Sequence, residues 1–191
     1  MSKSLWEPDF NRILTVLYRT GEPDRVPFFE LFHDAEVLVG VMGGPPPSDP
    51  DAYRRWRLEF FTRLNYDYMN AYHTVSFPEV PTLLSDDTAT EQSRGQRGWE
   101  DEHHGPIGSW GDFERYRWPT VSDRDFADIE ACAAILPDGM KVTVTLPGGV
   151  LENLIRLIGY EPLCYALVEQ PDLVQAVVDR IGATELKMYE V

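Results

Sequence analysis

Apolar residues recur every three or four positions along several stretches of the chain, and this spacing predicts amphipathic helices. The first stretch, residues 10–17, is followed by Gly21 and Pro23, which are typical of the region just beyond a helix. A second helix is predicted at about 51–64. Further helices are predicted at about 126–136, at 151–158, from about 162, and from Pro171 onwards.

Three short segments between these helices have the pattern of β-strands. Residues 26–31 are nearly all apolar, which predicts a strand that is buried on both faces. Residues 67–72 form the second candidate, and residues 141–146 alternate in polarity and are rich in β-branched side chains. Because helices separate the strands, we expect the three strands to be parallel, adjacent in that order, and part of an α/β fold.

Residues 74–120 interrupt this alternation of strands and helices. The segment is polar and rich in glycine, proline and other turn-forming residues. A structureless loop of this length is uncommon inside a compact domain. We therefore interpret the segment as an insertion that carries a β-hairpin.

The acidic charge of the chain excludes some classes of binding partner. Its 191 residues include 32 acidic and 17 basic ones, which gives a formal net charge of −15. Nucleic acids and anionic membrane surfaces bind clusters of lysine and arginine, so neither is expected as a partner. The chain has no apolar run of transmembrane length and no secretory signal pattern at its amino terminus. We expect a cytoplasmic protein that binds a small molecule, with a homodimer left open.

The two cysteines, Cys132 and Cys164, both fall in apolar helical patterns. Neither has a CxxC partner or a neighbouring histidine. This setting predicts two buried free thiols, rather than a disulfide or a zinc site.

Several segments, in their order along the chain, resemble the uroporphyrinogen decarboxylase-like family. They are Gly21–Pro27 ahead of the first strand, Phe113–Pro119 ahead of a helix, Pro147–Leu163, Leu167–Val174 and Asp179–Gly182. The resemblance covers essentially the whole chain. It implies a (β/α)8 barrel of the TIM type, of which these residues form an incomplete, amino-terminal half. It further implies one domain over residues 1–191, with 74–120 as the hairpin-bearing insertion within it.

The resemblance implies two kinds of chemistry. The family includes decarboxylases that need no cofactor and act on the acetate side chains of uroporphyrinogen, and zinc-dependent methyltransferases that work with corrinoid proteins. A non-catalytic binding protein or pseudoenzyme on the same barrel is a third alternative. The family's decarboxylases place arginines after the first strand and an aspartate after the second. Here the corresponding loops, Glu30–Glu36 and Asn70–Thr74, have neither, so we expect the substrate to differ from uroporphyrinogen itself.

Barrel active sites lie at the carboxyl ends of the strands, and that rule selects the candidate site residues. The candidate catalytic residues are His33, Asp34, Tyr72 and His73. We expect these four to converge on one concave face, because every strand-to-helix loop of a parallel sheet emerges on the same side. The candidate substrate-binding residues are Glu30, Glu152 and Asn153. No set of metal ligands is predicted within these residues.

Structural roles are open for most of these residues. Asp34 has the position of a helix N-cap, His33 and His73 are compatible with hydrogen-bonded loop residues, and Glu152 suits the first turn of a helix because of the helix dipole. The adjacent pair His103 and His104 lies among acids, yet neighbouring residues of an extended strand point to opposite faces. We therefore interpret that pair as part of an exposed hairpin.

Overall fold

The computed structural model describes residues 6–86, 88, 95–101, 103–145 and 148–190. These residues divide into two compact units. Unit 1 runs up to His73 and resumes at Phe126–Thr145, and unit 2 comprises Thr74–Asp125 and the residues from Leu146 onwards. No helix in the described ranges is both long and apolar enough to cross a membrane.

Unit 1 contains the predicted parallel strand pair. Its elements are α1 (Asn11–Tyr18), α2 (Ala35–Met42), α3 (Pro50–Arg63), β1 (Tyr68–Ala71), α5 (Ala127–Ala133) and β4 (Lys141–Val144), the numbers following the order along the whole chain. β1 pairs with β4 in parallel, from Tyr68 opposite Lys141 to Ala71 opposite Val144. The predicted parallel pairing of the second and third strands is thus confirmed, whereas Leu146, the end of the predicted third strand, lies outside the described residues.

Local chemistry explains where the longest helix of unit 1 begins. Asp49 accepts a hydrogen bond from the Ala52 main-chain N–H at 2.8 Å, and Pro50 occupies the first helical position of α3. Proline suits this position because its nitrogen has no hydrogen to leave unpaired. The apolar face of α3 then packs on β1, where Phe60 and Phe61 join Tyr68 and Met69 in the core.

The strand predicted at 26–31 is wrong, because these residues belong to no strand. The phenol of Tyr68 occupies both main-chain groups of Glu30, accepting from its N–H at 2.7 Å and donating to its carbonyl at 3.0 Å. Phe28 and Phe29 pack with tilted rings against Tyr66 and Tyr68, and they form no strand ladder. The run also stays largely exposed rather than buried. The apolar content of the segment therefore did not make it a strand, because the side chains of Tyr66 and Tyr68 bind it in place of strand pairing.

Unit 2 consists of a hairpin and a group of helices. Its elements are β2 (Thr82–Asp86), β3 (Gln96–Glu100), α4 (Trp110–Arg115), α6 (Val150–Ile158), α7 (Tyr160–Glu169) and α8 (Pro171–Glu190); a 3-10 turn, Asp123–Phe126, leads into α5. β2 and β3 are antiparallel, so segment 74–120 does contain a hairpin. The core of unit 2 is formed where α6, α7 and α8 pack together around Leu157, Leu173, Val177 and Ile181.

The described strands form two separate two-stranded sheets and no closed barrel. The half-barrel fold and the single domain over 1–191 therefore stay predictions. The two cysteines differ from expectation in one respect. Both are free, and Cys132 is buried, but Cys164 is exposed because it lies on the outer side of α7.

Candidate active site

The carboxyl ends of β1 and β4 are joined by a histidine with an unsatisfied nitrogen. His73 follows β1, and its Nε2 lies 3.0 Å from the carbonyl oxygen of Thr145, which follows β4. A carbonyl only accepts hydrogen bonds, so Nε2 carries the hydrogen and Nδ1 of the neutral ring is left as an acceptor. Nδ1 is buried and has no hydrogen-bond partner among the described residues. A ligand that donates a hydrogen bond, or a proton, would satisfy it.

Helix α3 brings a buried arginine to the same end of β1. Arg57 is 3% exposed, and its guanidinium donates a hydrogen bond to the main-chain carbonyl of Asn70. The ring of Tyr72 lies 4.5 Å from the guanidinium carbon, and the ring of Tyr53 lies 5.8 Å from it. These contacts hold the guanidinium near two aromatic faces, which attract a cation.

Arg57 differs from Arg54, its neighbour on α3, in its ionic partners. Arg54, one turn earlier on α3, pairs with Asp51 and Asp128 at 2.7 Å each. No carboxylate lies within ion-pair distance of Arg57 in the described part of the chain. Burying a charge without a counter-ion is costly, so such a residue is rarely kept for packing alone. The arrangement leaves a cation at the carboxyl end of β1 that is complementary to an anionic ligand.

A hydrogen-bonded chain of three side chains lies beside this arginine. His33 Nε2 is 3.1 Å from the phenol oxygen of Tyr66, which donates to Glu30 Oε1 at 3.3 Å. The His33 ring makes edge contacts with Phe60 and Phe61 at 5.0 and 5.3 Å between ring centroids. Burial lowers the pKa of His33 below its ordinary value, Glu30 opposes this change, and the Arg57 charge lowers it further. His33 is therefore a neutral hydrogen-bond donor at pH 7.

Burial also suppresses ionisation of the tyrosine in that chain. The pKa of Tyr66 is raised to about 12, mainly by burial and further by the neighbouring Glu30. The phenol consequently keeps its hydrogen at neutral pH, and it links His33 to Glu30 through hydrogen bonds without carrying a charge. The pattern favours a site that orients neutral donors and acceptors around one fixed cation.

The opposite end of β1 carries a different polar group. Asp67, directly before the strand, is fully buried and accepts from Arg12 at 2.9 Å, from Arg25 at 2.8 Å and from the Asp9 main-chain N–H at 2.9 Å. Arg12 also pairs with Asp24 at 2.6 Å. Both oxygens of Asp67 are occupied, which indicates a structural group that ties the amino-terminal segment to β1.

The structure groups some of the predicted site residues and separates others. His33 and Glu30 share Tyr66, and Tyr72 contacts Arg57, whose charge acts on His33. No described hydrogen bond, ion pair or ring contact joins His33 to His73, so the predicted convergence of the two imidazoles stays a prediction. Asp34 is the N-cap residue of α2, although its side chain makes no capping hydrogen bond there.

Glu152 and Asn153 have structural partners within unit 2. Glu152 Oε2 accepts from the Gly149 main-chain N–H at 2.8 Å, in the first turn of α6. Asn153 is buried and donates to the Gly149 carbonyl at 3.2 Å and to Glu185 at 3.1 Å. These bonds fix the start of α6. Binding of substrate by either residue stays a prediction.

Among the residues that the structure describes, no cluster of side chains is suited to a resident metal ion. The described ranges contain no group of three or more His, Cys, Asp or Glu side chains arranged for one. Cys132 lies against Asp128, and burial raises the pKa of its thiol to about 11, so the thiolate that zinc needs is scarce at neutral pH. The zinc of the methyltransferase alternative has no candidate ligands among the described residues, and it stays a prediction.

Comparison with protein-family models, with curated proteins and with solved structures finds no match for this chain.

Sequence reasoning missed Arg57, although the sequence contains a signal for it. Tyr53, Phe60 and Phe61 define the apolar face of α3, and position 57 falls four residues after the first and three or four before the others. A charged residue at such a position is directed into the core with its helix face. Buried charge on an apolar helix face is informative because it is rare.

Proposed function

We propose that this chain is part of an enzyme of the uroporphyrinogen decarboxylase-like type, built on a (β/α)8 barrel, that acts on a small molecule bearing a carboxylate. The observation that carries the proposal is Arg57, a buried cation with aromatic faces beside it and no described anionic partner. Its hydrogen bond to Asn70 brings it to the carboxyl end of β1, the strand that His73 follows, and this supports the proposal because barrel active sites lie at the carboxyl ends of strands.

The roles follow from the needs of decarboxylation. The reacting carboxylate leaves as CO2, its bonding electrons stay on the substrate carbon, and that carbon takes up one proton. A guanidinium on the reacting carboxylate would stabilise the starting state most, so Arg57 is assigned to a carboxylate that does not react. His73 is assigned to the proton: its Nδ1, which has no other described partner, takes a proton from water, and the resulting imidazolium delivers that proton to the substrate carbon. His33, kept neutral by burial, donates from Nε2 to Tyr66, which donates to Glu30, so His33 offers the substrate Nδ1 as an acceptor.

Binding of simple carboxylates tests the proposal without knowledge of the substrate. Acetate, succinate and citrate are titrated into the purified chain by calorimetry, with succinamide as the uncharged control. We expect di- and tricarboxylates to bind and succinamide not to bind. Arg57→Met, which keeps the length and apolar stem of the side chain, is expected to weaken binding by at least about tenfold, the effect of losing one charge-assisted hydrogen bond.

The matched control is Arg55→Met, an exposed arginine on the same helix. If Arg55→Met and Arg57→Met lost the same affinity for carboxylates, the loss would reflect the net charge of the protein alone, and the assignment of Arg57 would be overturned. Failure of every carboxylate to bind at millimolar concentration would overturn the proposed substrate class.

Uroporphyrinogen itself is not the expected substrate. The loop after the expected first strand supplies no arginine, and Arg57 is a single cation, whereas uroporphyrinogen presents many carboxylates. We expect the purified chain to form no coproporphyrinogen above the uncatalysed rate. The cytoplasmic location belongs to the proposal as well, and fractionation of cells that express the tagged chain tests it.

A further inference from the structure

Unit 2 contains a cleft to which the proposed decarboxylase chemistry gives no role. Its volume is about 600 Å³, within the range typical of small-molecule sites. The floor is apolar and consists of Ile107, Ile158, Ala166 and Leu173, all of them buried. His103 and His104, interpreted from sequence as part of an exposed hairpin, lie beyond β3 and line this cleft together.

Both imidazoles of the cleft are oriented by carboxylates. Nδ1 of His103 lies 3.1 Å from Glu161, and Nδ1 of His104 lies 2.9 Å from Asp101. Asp101 also accepts from the His103 main-chain N–H at 2.8 Å, which holds the two residues on one loop. A neutral imidazole that donates from Nδ1 leaves the carboxylate charge in place and presents Nε2 as an acceptor. The polar side of the cleft therefore offers acceptors and negative charge.

Helix α7 extends this negative character along the cleft. Glu161, Tyr165 and Glu169 are spaced four residues apart, so they form one stripe on the helix, and all three line the cleft. Eight residues of helix place the two glutamates about 12 Å apart along its axis. Tyr165 lies midway and presents an aromatic face, which attracts cations and packs against methylene groups.

The charges of the cleft select the ligand class. The described lining residues include two glutamates and two histidines, but no lysine or arginine. A metal ion does not fit, since these residues form no group of three or more potential ligands in the described structure. An organic cation with an apolar body fits both the acidic rim and the apolar floor.

We propose that this cleft binds a linear aliphatic diamine or polyamine. One ammonium group bonds to Glu161 beside His103, the methylene chain lies over Ala166 and Tyr165, and a second ammonium group bonds to Glu169. The net charge of −15 favours the approach of such a cation. This site is independent of the carboxylate site of unit 1, and either can fail without the other.

A length series of diamines tests the proposal. Binding of 1,4-diaminobutane, 1,6-diaminohexane, 1,8-diaminooctane and spermidine is measured by calorimetry, with hexylamine, 1,6-hexanediol and adipate as the single-charge, uncharged and anionic comparisons. We expect affinity to rise with length until the ammonium groups span the two glutamates. Hexylamine is expected to bind less tightly than the best diamine, and the diol and adipate are expected not to bind.

Charge-removing variants locate the binding. Glu161→Gln and Glu169→Gln are each expected to weaken the best diamine about tenfold, as the loss of one charge-assisted hydrogen bond predicts. Glu114→Gln, at an exposed glutamate on α4, is the matched control and is expected to bind like the wild type. Thermal melts of the three variants confirm that each is folded before binding is compared.

Three results would overturn the proposal. They are equal binding of 1,6-diaminohexane and 1,6-hexanediol, an equal loss of affinity in Glu114→Gln and Glu169→Gln, and no binding of any diamine at millimolar concentration.

Discussion

The two ends of β1 hold polar groups of opposite character, although only four residues of strand separate them. At the amino end, Asp67 is buried with Arg12, Arg25 and a main-chain N–H as partners. At the carboxyl end, Arg57 is buried without a described carboxylate, and His73 Nδ1 has no described partner. Buried charge that is fully paired belongs to the fold, whereas buried charge that is left unpaired indicates a place for a ligand.

The amino end of β1 is expected to stabilise the fold, and the carboxyl end is expected to bind a ligand. The amino end ties α1 and the segment around Asp24 to β1 through Arg12, so its loss weakens the fold. Proteins commonly keep destabilising polar groups where they bind ligands, because activity requires them. We therefore expect that removing the charge at the carboxyl end changes the free energy of unfolding little but weakens ligand binding.

The largest effect is expected for Asp67→Asn. The substitution preserves shape but removes the charge that faces two arginines, leaving Arg25 without its described ionic partner. Breaking a buried ion pair by removing one partner typically costs about 3–5 kcal/mol. Urea unfolding at pH 7 measures the difference directly.

Asp24→Asn is the control for that measurement. Asp24 pairs with the same Arg12, but its side chain is 67% exposed. We expect a much smaller loss of stability, because solvent screens an exposed pair. A loss as large as that of Asp67→Asn would show that exposure does not separate the two carboxylates.

A smaller effect is expected in the titration of His33. Burial lowers its pKa below the ordinary value of 6.5, so the folded protein binds this proton less readily than the unfolded chain. As the pH falls below 6.5 the unfolded state takes up more protons, and this residue destabilises the fold. NMR titration of the four histidines, with His33→Gln to assign the signal, gives the value. A midpoint above 6.5 would contradict the environment described for this ring.

Arg57 and His33 should be coupled in that titration. The Arg57 charge contributes to lowering the pKa of His33, so Arg57→Met is expected to raise it. Arg55→Met, on the exposed side of α3, should leave the His33 titration unchanged. Identical His33 curves in wild type and Arg57→Met would separate the two residues and remove His33 from the candidate site.

Much of the fold follows from local pattern, and the exceptions have identifiable causes. Helix α3 and strand β4 were predictable, because apolar periodicity and β-branched alternation act within each segment, and the parallel pairing of β1 with β4 was expected because a helix separates the two strands. The strand at 26–31 failed because pairing depends on the neighbour, and here Tyr68 binds the main chain of Glu30 through its phenol. Helix α2 was not predicted because its sequence, Ala35–Met42, is mainly apolar all round and lacks helical periodicity.

The candidate site was predictable only in outline. The rule that places barrel sites at strand ends selected Tyr72 and His73, and both contribute contacts at the carboxyl end of β1. The rule could not select Arg57, because that residue comes from the preceding helix and reaches the strand end across the core. Tyr66 was missed for a related reason, since its link between His33 and Glu30 depends on a loop that folds back over β1.

The unfolding free energy of Arg57→Met decides whether this arginine serves a ligand or the fold, and its measurement requires no knowledge of the ligand. Removing the charge relieves an unpaired burial, which offsets the lost hydrogen bond to Asn70 and the lost contact with Tyr72. We predict that the unfolding free energy of Arg57→Met, measured in urea at pH 7, differs from that of wild type by less than about 1 kcal/mol, while carboxylate binding is weakened at least about tenfold. A loss of stability as large as that of Asp67→Asn would contradict it, because Arg57 would then be as structural as the amino end of the strand.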